Sequence, residues 1–343
     1  MKQIHGGNIY KYKGFIDFSA NINPLGMPKE IMKAAVDSAI LWDRYPDPDC
    51  TELIKKIAEH ERTYEENIAV GNGAADIIYR IVHALRPKKA LICAPSFGEY
   101  KKALSETGCK INIHTLSEQN NFELSGDILD KMTGDIDIVF LCSPNNPTGR
   151  IIEKELLFEI SKKCFENDIY LVCDECFLDF AKNGEDYSLR RCLKRKGIIL
   201  KAFTKMFAVA GLRIGYAVCG DKETAMMVRN SGQFWSVSVP AQAAAKTALE
   251  MDDFVKKTVL YTECERGYLI SFLKGQGYKV FDGAANFIMF KADSLFSKRM
   301  ESKGILVRDL SSMEGAGEGF YRIAVRTHEE NMIFTEALKC QDQ

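Results

Sequence analysis

Apolar and polar positions follow two alternating periods through the middle of the chain, between about residues 68 and 220. Short apolar runs, typical of strands buried on both faces, occupy residues 90–95, 137–144, 169–175, 197–203 and 213–220. Between them, apolar residues recur at helical spacing over 74–85 and 153–167. This alternation predicts an α/β fold whose mostly parallel sheet is sandwiched by helices.

The pattern changes after residue 238. A long helical stretch over 252–274 leads to short strands at 285–291 and 320–325 and a last helix over 328–339. We expect a smaller C-terminal α+β domain there. The predicted division is an N-terminal arm with a small-domain segment over 1–40, a large domain over 41–238, and a small domain over 239–343.

Charge and cysteine usage narrow the class of protein. The formal net charge is −1, which supplies neither a basic stripe for nucleic acid nor a polybasic face for membrane. The eleven cysteines are scattered through apolar runs, as expected of free thiols in a cytoplasmic protein. The close pair Cys173 and Cys176 lacks the second pair that a metal site needs, so no metal is expected.

Polar or aromatic residues follow several predicted strands. In open parallel sheets, ligands bind at the carboxyl ends of the strands. A Gly-Asn-Gly turn opens the helix at 74–85, and the other strand ends are followed by Phe97, Asn146, Asp174 and Lys205. Taken singly, the turn is equally well explained as a tight strand-to-helix connection, and the aromatic residue is better explained by core packing. The Asn-Pro-rich segment also has the composition of an ordinary loop.

Together, these side chains match one cofactor. A neutral lysine amine attacks an aldehyde, a carboxylate keeps a pyridine nitrogen protonated, and a helix N-terminus binds phosphate. Lys205, Asp174 and the start of the 74–85 helix supply these groups in order along the chain. The sequence therefore predicts a pyridoxal 5'-phosphate (PLP) site.

Three motifs, "SPNNPTG", "CDECFLDF" and "AFTKMFAVAGLRIGY", resemble the class I/II aminotransferases of PLP fold type I. The likeness extends over essentially the whole chain. It is strongest to the branch that holds histidinol-phosphate aminotransferase and threonine-phosphate decarboxylase. The resemblance implies a PLP-dependent lyase or aminotransferase of fold type I, with a large and a small domain.

The resemblance also implies a role for each matching residue. Lys205 would bind the cofactor aldehyde covalently, Asp174 would pair with the ring nitrogen, Asn146 with the ring oxygen, and Phe97 would stack on the ring. The expected phosphate ligands are Gly73, Ala74, Ala75, Thr204 and Arg213, joined by Tyr45 from a second subunit. That tyrosine implies a homodimer with shared active sites. On the substrate side, Arg322 would bind the carboxylate, and Asn286 would lie beside it.

Two positions depart from the usual family pattern. Ala202 stands where many relatives place a hydroxyl on the phosphate, and Phe177 stands where many carry a tyrosine that hydrogen-bonds the ring oxygen. The first departure removes one phosphate ligand. The second removes a donor to the ring.

The reaction depends on which substrate bond stands perpendicular to the cofactor ring. "HGGN", "DFSANINPLGMP" and "RIAVRTHEEN" resemble the decarboxylase, in which the N-terminal segment covers the substrate phosphate. His5, Asn23, Arg326 and Arg150 are the candidate phosphate contacts. We expect decarboxylation of O-phospho-L-threonine, or of O-phosphoserine, in cobalamin side-chain synthesis. The alternatives are an aminotransferase of the histidinol-phosphate type and a non-catalytic PLP-binding regulator, for which the chain shows no basic DNA-binding helix.

Overall fold

A computed structural model describes residues 6–339 of the chain. Its strands are β1 Ile16–Asp17, β2 Ile68–Gly71, β3 Lys89–Ala94, β4 Lys110–Thr115, β5 Ile138–Cys142, β6 Tyr170–Asp174, β7 Gly197–Ala202, β8 Gly215–Cys219, β9 Lys279–Phe281, β10 Phe287–Lys291, β11 Ile305–Leu306, β12 Arg308–Asp309 and β13 Phe320–Ala324. Its helices are α1 Lys29–Asp37, α2 Thr51–Glu61, α3 Ala74–Leu85, α4 Glu99–Glu106, α5 Ile128–Lys131, α6 Lys154–Glu166, α7 Phe203–Met206, α8 Lys222–Asn230, α9 Val239–Ala248, α10 Asp252–Gly275, α11 Phe296–Ser302 and α12 His328–Lys339.

A seven-stranded sheet forms the centre of the molecule, in the order β2-β8-β7-β6-β5-β3-β4. β8 is antiparallel to both of its neighbours, and the other pairings are parallel. The carboxyl ends of β2, β3, β5, β6 and β7 therefore meet at one edge of the sheet. The segments that follow these strands carry the predicted site residues.

Both faces of this sheet are buried, which explains its continuous apolar runs. In β5, Val139 and Leu141 pack into one hydrophobic cluster, whereas Ile138 and Phe140 pack into another on the opposite face. Successive strand side chains point to opposite faces, so both sets have to be apolar. The predicted α/β fold with a mostly parallel sheet is confirmed.

A second, smaller sheet has the order β12-β13-β10-β9, and its pairs are antiparallel. The N-terminal strand β1 pairs in parallel with β11, beside this sheet. Phe18, directly after β1, is fully buried in a third hydrophobic cluster with Phe290 and Phe334. The N-terminal segment is thus attached to elements near the C-terminus. The domain bounds given above stay a prediction.

The amphipathic helices have the bounds that the sequence predicts, whereas a strand at the edge of the sheet was not predicted. Helices at 74–85 and 328–339 have the predicted bounds. β4, whose residues Lys110–Thr115 mix polar and apolar positions, was not predicted because it lies at the sheet edge, where one side remains exposed. None of the helices between residues 6 and 339 is long and apolar enough to cross a membrane. The cysteines described by the structure are free thiols.

Candidate active site

The buried carboxylate of Asp174 ends β6 and is held at both oxygens. The Tyr100 hydroxyl donates a hydrogen bond to Oδ2 over 2.6 Å, and the Cys176 backbone N–H donates to Oδ1 over 3.0 Å. Tyr100 is itself fixed between Phe140, stacked with ring centroids 5.3 Å apart, and Phe97, edge-on at 5.6 Å. A carboxylate held by two hydrogen-bond donors is suited to pair with a cationic ring nitrogen.

Lys205 lies in the short helix α7, directly after β7. Burial, the largest effect, lowers the pKa of its amine from the ordinary 10.5 to about 8. The Arg322 and Arg213 cations also lower this pKa, and Asp174 partly offsets them. A substantial fraction of the amine is therefore neutral and nucleophilic near physiological pH, as covalent binding of an aldehyde requires.

An anion cradle lies where β2 leads into α3. Gly73 has φ +85°, and a Cβ on it would approach within 2.6 Å of Arg213 Nη2, so glycine lets the guanidinium sit against the backbone. Behind it, α3 begins at Ala74, and the first N–H groups of a helix lack intrahelical partners. Asp76, in that first turn, is paired with Arg80 at 2.7 Å, which neutralises its charge. Thr204 is buried beside Lys205 in α7.

Two buried arginines face each other across β12 and β13, where Arg308 is in register with Arg322. Burial, and then the Arg308 cation, lowers the pKa of Arg322 to about 9. Among residues 6–339, no carboxylate lies within ion-pair distance of either guanidinium. Asp17 and Asp309 favour the charged forms of Arg322 and Arg308 only from a distance. The burial of two like charges without a carboxylate in contact is costly, so the pair is suited to an anionic ligand.

The side chains around Arg322 join the two sheets. Its Nη1 donates to Asn146 Oδ1, and its Nη2 donates to the Ser19 carbonyl over 2.7 Å. Its guanidinium lies 5.4 Å from the centroid of the Phe287 ring, against which Phe177 packs edge-on. Asn286 is fully buried, and neither polar atom of its side chain has a partner in the described chain. Buried orphan amides of this kind are expected to meet a ligand.

Other residues proposed from the sequence are engaged elsewhere in this chain. Asn23 Nδ2 donates to Met206 O and Thr258 Oγ1 over 2.6 and 2.9 Å, so its amide holds the loop after Lys205. Arg150 pairs with Glu123 at 3.3 Å, and Arg326 pairs with Glu330 at 2.9 Å. Their substrate roles stay predictions. His5 lies outside the described residues.

Tyr45 is largely exposed, at 76%, and stacks on Trp235 with ring centroids 4.5 Å apart. This position is consistent with a role in a second subunit, which stays a prediction.

Sequence reasoning missed three residues that the structure makes notable. Arg308 lies in a two-residue strand, too short for a periodic signal. Asn21 is buried with an orphan Oδ1, whereas the sequence resemblance pointed to Asn23, two positions later. Tyr100 follows Phe97 by three positions, the spacing of one helical turn, and this spacing could have suggested a second inward-facing aromatic.

The chemical groups of the described residues fit those of PLP. A lysine with a lowered pKa, a clamped carboxylate and a glycine-opened anion cradle lie at one sheet edge, and Arg322 reaches the same edge through its hydrogen bond to Asn146, which follows β5. This combination defines a PLP-dependent enzyme of fold type I.

Comparisons with known proteins agree. The model of the family "Aminotransferase class I and II" matches residues 13–338, and the chain belongs to this family. The chain is 33% identical to threonine-phosphate decarboxylase of Salmonella typhimurium, over 98% of this chain and 95% of that protein. It is 31% identical to the adenosylcobalamin biosynthesis bifunctional protein CobDQ of Leptospira interrogans, over 97% of this chain and 40% of that one. The structure of histidinol-phosphate aminotransferase from Clostridium acetobutylicum superposes with a TM-score of 0.88 at 28% identity, covering 94% of this chain and 98% of that one.

Proposed function

We propose that this enzyme decarboxylates O-phospho-L-threonine, with O-phosphoserine as a second candidate substrate, in cobalamin side-chain synthesis. The observation that carries the proposal is the pair of buried arginines, Arg308 and Arg322, in register on adjacent strands. A phosphorylated amino acid has two acidic groups, a phosphate and a carboxylate. Two unpaired cations side by side match such a ligand. The similarity to threonine-phosphate decarboxylase and to a cobalamin biosynthesis protein supports the same choice.

The chain's own residues have distinct tasks in this reaction. When bound, PLP withdraws the electrons of the bond that breaks at the substrate Cα. Asp174, held by Tyr100, would pair with the ring nitrogen of the cofactor. Arg322 and Arg308 hold the two acidic groups and so fix which Cα bond is presented. Lys205, with its pKa lowered to about 8, accepts or returns a proton at its amine nitrogen.

A homodimer with shared sites is part of the proposal. Large apolar side chains on α1, on the segment after it and near Trp235 are exposed in the single chain: Met32, Val36, Ile40, Trp42, Tyr45, Phe234 and Trp235. Contiguous exposed apolar patches of this kind mark protein–protein interfaces. A second copy that covers this patch would bring its own Tyr45 toward a site, as the family resemblance implies.

The proposal is tested by product analysis. Purified enzyme loaded with PLP is incubated with O-phospho-L-threonine, O-phosphoserine and histidinol phosphate, each with and without 2-oxoglutarate. We expect CO₂ release from phosphothreonine that does not need the oxo acid. Glutamate formation from histidinol phosphate without any CO₂ would establish the aminotransferase alternative instead.

A variant of Arg308 tests the contribution of the arginine pair. Arg308→Gln should lower kcat/KM for the phosphorylated amino acid by about 30-fold or more, because loss of one partner of a buried ionic contact typically costs 2–5 kcal/mol. Arg195→Gln is the matched control, since that arginine is 63% exposed and pairs with Asp168 at the surface. Equal activity of the two variants would refute the role of Arg308.

A further inference from the structure

Ser19 links the N-terminal segment to Arg322 through hydrogen bonds of its side-chain hydroxyl and of its backbone carbonyl. Its hydroxyl oxygen accepts from the Gly7 backbone N–H over 2.8 Å and donates to Asp17 Oδ1 over 2.6 Å. Its carbonyl oxygen accepts from Arg322 Nη2 over 2.7 Å. A single buried residue therefore contacts both the arm and the arginine of the site.

The backbone around Ser19 is held rigidly. The Phe18 N–H donates to Leu306 O and the Phe18 carbonyl accepts from the Ala324 N–H, both over 2.8 Å. Asp17 Oδ1 also accepts from the Ser19 N–H over 2.8 Å. Since a hydroxyl offers one donor and two acceptor lone pairs, the bond to Asp17 leaves the Ser19 oxygen free to accept from Gly7.

Gly6 shows that the arm is seated closely against this point. A Cβ on Gly6 would lie 2.4 Å from the Ser19 carbonyl oxygen, the same atom that Arg322 binds. Any larger residue at position 6 would have to displace the arm or that carbonyl. Gly14, in the same segment, has nothing within 4 Å of the equivalent position.

We propose that Ser19 is a positioning residue that couples docking of residues 6–8 to the aim of Arg322, so that the arm is in place when the arginine binds the substrate's acidic group. The choice of a phosphorylated amino acid as that substrate rests on the proposed function. The coupling itself depends only on contacts within the chain. It makes Ser19 a determinant of substrate affinity without direct contact with the reacting atoms.

Limited trypsin digestion of the PLP-loaded enzyme tests the coupling. Lys11 and Lys13 are exposed in the arm. In Ser19→Ala, cleavage after them should be about two- to tenfold faster, because one net hydrogen bond is lost and cleavage follows the undocked population. Cleavage after Lys256, 74% exposed on α10, should not change. Ser19→Thr keeps the hydroxyl and should restore the slow rate.

Ligand and kinetic readouts separate positioning from simple stability. Saturating O-phospho-L-threonine should slow cleavage after Lys11 in the wild type and have less effect in Ser19→Ala, whose KM should rise about fivefold while kcat stays within about twofold. Should phosphothreonine prove not to be a substrate, the cleavage rates of the wild type and Ser19→Ala without ligand still test whether Ser19 holds the arm.

If Ser19→Ala does not fold, Gly6→Ala provides a second way to undock the N-terminal arm. Gly6→Ala should speed cleavage after Lys11 and Lys13 as much as Ser19→Ala does. Gly14→Ala controls for glycine replacement in this segment, because Gly14 has φ +80° and nothing lies within 4 Å of an added Cβ. Unchanged cleavage in both Ser19→Ala and Gly6→Ala would overturn the proposal. So would equal ligand protection of the wild type and Ser19→Ala, where phosphothreonine does protect the wild type.

Discussion

The Tyr100 hydroxyl donates a 2.6 Å hydrogen bond to Asp174 Oδ2, across 74 positions of sequence. Both side chains are buried, and burial together with the Asp174 charge raises the pKa of Tyr100 well above its usual value. Tyr100 therefore stays protonated and acts as a donor throughout the working pH range. Its hydrogen bond holds the Asp174 carboxylate in place.

Tyr100→Phe should weaken PLP binding by about tenfold or more, because a hydrogen bond to a charged group contributes about 1.5–3 kcal/mol. The measurement is an absorbance titration of cofactor-free enzyme with PLP. Tyr79→Phe is the matched control, since Tyr79 donates to Glu99 over 3.0 Å away from the cradle. Equal affinity of both variants would show that the Tyr100 bond has no role in cofactor binding.

The Lys205 amine should titrate near pH 8. Its reaction with trinitrobenzenesulfonate in cofactor-free enzyme, followed by mass spectrometry of the peptide that contains it, should have a midpoint of about 8. Arg322→Gln should raise this midpoint, because the arginine cation lowers the pKa. Arg326→Gln, whose cation is paired with Glu330, should leave the midpoint unchanged. A midpoint near 10 in the wild type would contradict the assignment.

Glu175, next to Asp174, should make stability depend on pH. Burial raises its pKa from 4.5 to about 7, against the opposing effect of Lys201. Below pH 4.5 the folded and unfolded states are both protonated. As pH rises through the range from 4.5 to 7, the unfolded state loses the proton first, so the folded state loses up to about 3 kcal/mol of relative stability.

Glu175→Gln should remove that decline. The free energy of urea unfolding, measured between pH 4.5 and 8 in the same cofactor state, should fall less steeply with pH in the variant than in the wild type. Identical slopes would mean that Glu175 ionises normally in the folded protein.

The Gly73 cradle should not tolerate a side chain. In Gly73→Ala the new Cβ would push against Arg213, so PLP affinity should fall by about tenfold or more, as expected when one charged contact of about 1.5 kcal/mol or more is lost. Gly277→Ala controls for backbone strain, because its φ is +81° with nothing nearby. A loss of affinity in both variants would point to general strain rather than to the cradle.

The placement of Lys205 and Asp174 at one edge of the sheet was predictable, because each directly follows a buried strand and parallel strand ends converge at one edge. The glycine-opened helix start over residues 71–75 was predictable for the same reason. Arg308 and Asn21 were not, since their importance comes from burial without partners, which only the folded chain shows. The bond from Tyr100 to Asp174 likewise depends on how two distant segments pack.

We predict that Lys205, and no other lysine, holds the cofactor. Lys201 is the best internal comparison, because it lies four positions earlier and its ion pairs with Glu61 and Asp179, at 3.5 and 3.4 Å, keep it charged. The decisive measurement is borohydride reduction of PLP-loaded enzyme followed by peptide mass spectrometry. We predict a reduced phosphopyridoxyl group on Lys205 within the tryptic peptide 202–213. Label on Lys201, or a label that persists in Lys205→Ala, would contradict the account.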